Sequence, residues 1–135
     1  MRLGEAGCRA RVAAARVGRL ATVGPDLRPH LVPVTYVVHG DELFIAVDQK
    51  PKSTTALKRL RNIAAHEQVA VLVDEYDEDW THLWWVRVDG AARVVPEDQP
   101  AVELLVRKYP QYEPDSPQGP VIVIRAEAWS GWSFS

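Results

Sequence analysis

Three short β-rich segments separated by turn signals crowd into about thirty consecutive residues, and this crowding constrains the fold more than any other feature. Arg19-Leu20-Ala21-Thr22-Val23 reads as a strand and stops at Gly24-Pro25-Asp26, a strong turn signal. His30 to Val38 alternates loosely and is enriched in Val, which predicts a second strand. His39-Gly40-Asp41 then turns the chain into Glu42 to Val47. Such short connections join antiparallel neighbours, so the segment is expected to be an antiparallel meander.

The rest of the chain adds strands without a strict strand–helix alternation. Gln68 to Asp74 reads as a strand, and Leu83 to Val95 as a long one with a bulge expected at Gly90. Val121 to Ile124 reads as a buried strand, followed by an aromatic tail at Trp129 and Trp132. Helices are expected over Gly4 to Val17, from Ser53 to near His66, and over Pro96 to Lys108. About six strands and three helices result, in one domain. A small closed or split β-barrel with peripheral helices accommodates them better than a doubly wound sheet.

The 135 residues are 47% hydrophobic and 25% charged, enough to bury a core and too apolar for disorder. A net charge of −2 argues against a broad nucleic-acid-binding surface, so any bound anion must be held by a local cluster of cations. The single cysteine, Cys8, excludes an internal disulfide and a multi-cysteine zinc site. Met1 to Ala15 carries Arg2, Glu5, Arg9 and Arg11 and has no secretory apolar core. A soluble cytoplasmic protein without a membrane span is the expectation.

The chemistry concentrates in Lys50-Pro-Lys-Ser-Thr-Thr-Ala-Leu-Lys-Arg-Leu-Arg. Two lysines and three hydroxyl residues open a helix, and three more cations follow. A helix N-terminus offers unpaired N–H groups, so a phosphate is readily held there. The other meaning of such a segment is a solvated basic helix face. It is not a P-loop, because the glycines are absent. His30, His39, His66 and His82 are too scattered for a metal site, and no G-x-S-x-G motif supports a hydrolase. Asp74 to Asp79 reads as a solvated acidic loop. Of the adjacent Trp84 and Trp85, one must face the core and the other outward.

Taken in order, Gly18-Arg-Leu-Ala-Thr-Val, Arg28-Pro-His-Leu-Val-Pro-Val, Leu43-Phe-Ile-Ala-Val, Lys50-Pro-Lys and Leu60-Arg-Asn-Ile resemble the pyridoxamine phosphate oxidase-like superfamily. Trp85-Val-Arg-Val-Asp-Gly-Ala-Ala-Arg-Val looks like a later strand of the same superfamily. The chain is most similar to an actinobacterial branch assigned to coenzyme F420-dependent oxidoreductases. The resemblance implies an FMN-binding type of split barrel, mainly β, six-stranded and antiparallel. It further implies a homodimer with two cofactor sites at the subunit interface.

Carried over by residue, the family's phosphate-binding segment falls on Lys50, Lys52, Ser53 and Thr54, with Lys58 assisting. The strands flanking the cofactor ring fall on Val34-Thr35-Tyr36 and Ala46-Val47. Coenzyme F420 carries an acidic tail beyond its phosphate, and Lys58 and Arg61, which share a side of the helix, are the candidates to meet it. The Tyr36 hydroxyl is a candidate hydrogen-bond donor to ring or substrate; the alternative is packing in the barrel wall. The second strand has Val32-Pro33-Val34-Thr35-Tyr36 in place of the Arg-x-x-x-Leu-Lys of true pyridoxamine phosphate oxidases. His66-Glu67 stands where their Asn-Pro follows the helix, and the chain ends at Ser135, without their C-terminal extension. Oxidation of pyridoxamine phosphate is therefore not the expected reaction. The expected one is hydride transfer from reduced coenzyme F420, with FMN as the alternative cofactor, to a small electron-poor organic acceptor. A non-catalytic binder of flavin, haem or another tetrapyrrole is the competing reading.

Overall fold

A computed structural model describes residues 1–47 and 54–135. Helix α1 (Glu5–Ala14) leads into β1 (Gly18–Val23), β2 (Pro29–Val34), β3 (Val37–His39) and β4 (Glu42–Ala46). Helix α2 (Thr54–Ala65), β5 (Gln68–Glu75), β6 (Trp84–Val95), α3 (Gln99–Lys108) and β7 (Val121–Ser133) complete the chain. The strands form one sheet in the order β2-β1-β5-β6-β7-β4-β3, and every neighbouring pair is antiparallel.

That order dictates a barrel. β2 and β3 lie at opposite ends of the sheet, yet only Thr35 and Tyr36 separate them in sequence. Three Cα–Cα steps reach at most about 11 Å, so the sheet must curl until its two ends nearly meet. No ladder joins β2 to β3 among the described residues, which leaves the barrel split at that seam. The expected single strand His30 to Val38 is therefore two strands, one following β1 and the other β4. The expected count of six rises to seven, while the fold class stands.

The aromatic tail also differs from its reading. β7 does not stop at Ile124 but continues for 13 residues, pairing along β6 from Val95 back to Trp84. The β6–β7 register does shift between Asp89 and Gly90, but the extra residue is Glu127 of β7 and not one of β6, so the bulge expected in β6 belongs to its partner strand. A Cβ at Gly90 would overlap the Arg125 carbonyl, so only glycine lets the strands approach this closely.

Period-two alternation fills the barrel. Leu20, Val69, Val71, Val73, Val86 and Val88 point inward, joined by Leu43, Ile45, Ile122 and Ile124. α1 seals this core with Cys8 and Val12, both fully buried. β4 and β7 are covered on their other side too, because α3 sets Ala101 and Val102 against Phe44, Val121 and Val123. Asp98 caps α3 by accepting a hydrogen bond from the Ala101 N–H, worth about 1 kcal/mol. No helix among the described residues is long and apolar enough to cross a membrane.

Candidate functional site

The site residues read from the sequence fall into two groups. Lys50, Lys52 and Ser53 lie outside the described residues. Thr54 opens α2, Lys58 is half-buried on it, and Arg61 is exposed. The second group gathers at the split seam, where Val34 ends β2, Thr35 and Tyr36 form the link, Ala46 ends β4 and Val47 follows it.

At the seam the chain is held rigidly. Tyr36 is fully buried, and its hydroxyl donates to the Val12 carbonyl at 2.6 Å. Burial, and then the neighbouring Tyr109, push its phenol well above the ordinary tyrosine value. The hydroxyl considered above as a donor to ring or substrate is thus committed to the last turn of α1; packing in the barrel wall is what the structure contains. Tyr109 at the end of α3 accepts the Tyr36 N–H at 3.2 Å, and its hydroxyl lies 2.9 Å from the Arg16 carbonyl. Thr35 and Tyr112 share a hydroxyl–hydroxyl bond of 2.8 Å. Lys108 completes this corner with its ammonium 4.1 Å from the Tyr36 ring centre, and burial lowers it to about 8. Sequence reading missed Tyr109, Tyr112 and Lys108, because only the fold brings α3 against the seam.

The α2 group acquires two members that sequence reading did not assign. In the β1–β2 register Thr22 stands opposite His30, so both side chains point to the same face. Thr22 is buried and accepts a hydrogen bond from the Asn62 amide of α2 at 3.0 Å, which docks the helix over this corner. A Cβ at Gly24 would overlap Asn62 Oδ1, so the β1–β2 turn closes against the same residue. Lys58 and Arg59 stand four and three residues before Asn62, one turn along the helix, and both charges act on His30 of β2. Arg59, which helical spacing alone would turn away from Lys58, is half-buried here.

This corner is electrostatically incomplete. Burial lowers the His30 imidazole below its ordinary value, and the charges of Lys58 and Arg59 lower it further. Burial also lowers the Arg59 guanidinium. The Nδ1 of His30 and the Nε of Arg59 are buried with no hydrogen-bond partner among the described residues. Leaving such a group unpaired costs about 1–3 kcal/mol, and more beside like charges. An oxyanion between β2 and α2 relieves both deficits, so the residues present suit the phosphate of a flavin-type cofactor.

The outer face of β2, β1, β5 and β6 carries a groove of about 530 Å³, lined by Leu31, Ala21, Leu72, Tyr76 and Trp85 with Arg19 and Arg87 at its edges. Leu31 is 65% exposed and Leu72 40%. Trp85 is the outward member of its pair. Trp84 packs against the core and donates its indole N–H to Glu75 at 2.9 Å. The histidines outside the corner are structural or solvated: His39 stacks near Phe44, His66 follows α2, and His82 bonds Asp77, which raises its imidazole above the ordinary value. Among the described residues no group of metal-ligating side chains is assembled.

A curled antiparallel sheet left open at one seam, with helices over its ends, defines a split-barrel protein of the FMN-binding type. Residues 5–133 match the family model described as pyridoxamine 5'-phosphate oxidase, and the chain belongs to that family. It is 31% identical over 80 residues to a 5a,11a-dehydrotetracycline/5a,11a-dehydrooxytetracycline reductase of Streptomyces rimosus. That match takes in 58% of this chain and 55% of the relative, so the chain spans about half the length of the curated relative it matches. An FAD-binding protein of Mesorhizobium loti superposes with a TM-score of 0.74 at 26% identity, covering 97% of this chain and 95% of that one. A structure described as an F420 reductase superposes with a TM-score of 0.68 at 24% identity, covering 94% and 98%. The chain therefore has an oxidoreductase-type fold, and one structural neighbour that shares it at 26% identity is described as FAD-binding.

Proposed function

We propose that this protein is an oxidoreductase that uses reduced coenzyme F420, with FMN as the alternative, to deliver a hydride to a small electron-poor organic acceptor. The observation that carries the reading is the corner between β2 and α2, where cations crowd against buried polar atoms that lack partners. In a chain of net charge −2 such a cluster calls for a bound anion. The neighbour described as an F420 reductase supports the deazaflavin, and the dehydrotetracycline reductase relative supports reduction of an organic acceptor.

β2 links the two groups of residues. His30 stands near its start and Thr35 just past its end, five residues or about 17 Å of strand apart. An elongated cofactor with a ring at one end and anionic groups at the other suits that separation. In this reading Lys50, Lys52, Ser53, Thr54 and Lys58 bind the phosphate, and Arg61 meets the acidic tail from the exposed side of α2. Val34, Thr35, Tyr36, Ala46 and Val47 form a rigid wall for the ring, with Tyr36 acting through its backbone and shape. When bound, the cofactor supplies the hydride; the chain's residues orient it and exclude water. A second copy of the chain, related by a two-fold axis, would cover Leu31, Leu72 and Trp85 and complete two equivalent sites. Compartment follows the same proposal: a cytoplasmic, homodimeric enzyme.

The test is anaerobic turnover with a panel of quinone, nitroaromatic and enone acceptors. Oxidation of reduced F420 that depends on acceptor and protein supports the enzyme. Tight binding of F420 or FMN with no turnover across the panel supports the carrier reading instead.

A further inference from the structure

His30 occupies an unusual position for a histidine on a barrel strand. It lies on the inward-facing side of β2, opposite the buried Thr22, and under the helix that Asn62 anchors to that same threonine. Among the described residues its Nδ1 is buried without a partner, and so is the Nε of Arg59 on the helix above. Lys58 and Arg59 are the charged groups among the described residues that act on it. Burial and two nearby cations lower this ring's hold on a proton, and an arriving negative charge would raise it again.

We infer that His30 is the third anion ligand of this corner, donating from Nδ1 to an oxyanion that Lys58 and Arg59 also hold, and that the ring takes up one proton from water as the anion binds. The inference rests on the reading of the α2 cations as an anion site, though not on which cofactor brings the anion. It assigns binding a direction with pH. Affinity rises as pH falls, because the anion is held by two cations above the titration and by three below it. Two fixed cations would give a flat profile for an anion of constant charge.

Inorganic sulfate is the suitable probe, since its charge stays constant over the range in which histidine titrates. The imidazole resonances of the full chain are titrated by NMR with and without saturating sulfate, and the dissociation constant is measured in parallel. The expected result is a rise of at least about one unit in the His30 midpoint, with sulfate bound at least about fivefold more tightly at pH about 5.5 than at pH about 8. His39, His66 and His82 serve as internal controls and should not move. In folded His30→Gln, sulfate should still bind at the higher pH with the pH dependence gone. Sulfate that binds without moving His30, or that fails to bind at tens of millimolar, overturns the inference from the wild-type titration alone. If FMN and F420 both fail to bind while sulfate still moves His30, the cofactor reading falls and this inference stands. If a cofactor binds and sulfate leaves His30 unmoved, this inference falls alone.

Discussion

Replacing Tyr36 by phenylalanine separates a structural role from a cofactor-binding one with the loss of a single oxygen. The hydroxyl is fully buried and donates to the Val12 carbonyl at 2.6 Å. Val12 lies in the last turn of α1, where carbonyls have no partner within the helix, so Tyr36 acts as the cap of that helix end. Deleting the bond forfeits about 1 kcal/mol and leaves a buried carbonyl unpaired, for a total of about 1–3 kcal/mol. A domain of this size loses about 3–5 °C of Tm per kcal/mol, so Tyr36→Phe should melt about 4–12 °C lower. The phenyl ring keeps its place beneath Lys108, and the Tyr36 N–H keeps Tyr109, so the wall of the seam is preserved. Thermal unfolding by circular dichroism and titration with F420 or FMN on the same samples measure both quantities. The expected result is lower stability with cofactor affinity within about threefold of wild type, a difference smaller than 1 kcal/mol. An unchanged Tm with lost affinity would refute the capping role and return the hydroxyl to the cofactor.

Three further outcomes follow from other parts of the fold. Gly90→Ala sets a Cβ into the Arg125 carbonyl and the Ile124 side chain and should cost about 1–3 kcal/mol in urea unfolding; a neutral result would mean the bulge is not tight. Burial lowers Lys108 to about 8, so the unfolded chain binds the extra proton between about 8 and the ordinary lysine value. Stability should therefore rise over that interval as pH increases, and Lys108→Met should flatten the rise. The double variant Leu31→Arg, Leu72→Arg charges the outer groove; by light scattering it should be a monomer where the parent has twice the chain mass, and a parent that is already monomeric would remove the shared-site arrangement.

What the sequence disclosed follows from which signals are local. The strands of the first meander and the inward valines of β5 and β6 were legible because burial on one face imposes period two. The break at Thr35 and Tyr36 was not, since the apolar pattern from Val32 to Val38 continues straight through it. The chain changes partners there because the sheet's two ends meet, a fact about topology. The second half of β7 was hidden for a different reason: from Arg125 onward its side chains are largely half-buried or exposed, Arg125, Glu127, Ala128 and Trp132 among the exposed ones, so polar and aromatic residues replace the apolar run. Lys58 was legible as a cation on a helix. His30 and Arg59 were not, because their meeting depends on a strand register and on the Thr22–Asn62 bond that turns one helix face to the sheet. Tyr109 and Tyr112 likewise reach the seam only through the docking of α3.

The central claim is that this barrel holds a flavin-type cofactor by the cations of α2. Calorimetric titration of F420 and of FMN into the parent chain and into Lys58→Ala, Arg59→Ala, at low and high salt, tests it most directly. The account predicts that F420 binds more tightly than FMN, with the steeper salt dependence, and that the double variant loses at least about tenfold in affinity, or 1.4 kcal/mol. FMN binding more tightly at both salts would contradict the deazaflavin assignment, and a double variant that binds F420 as well as the parent would contradict the site itself.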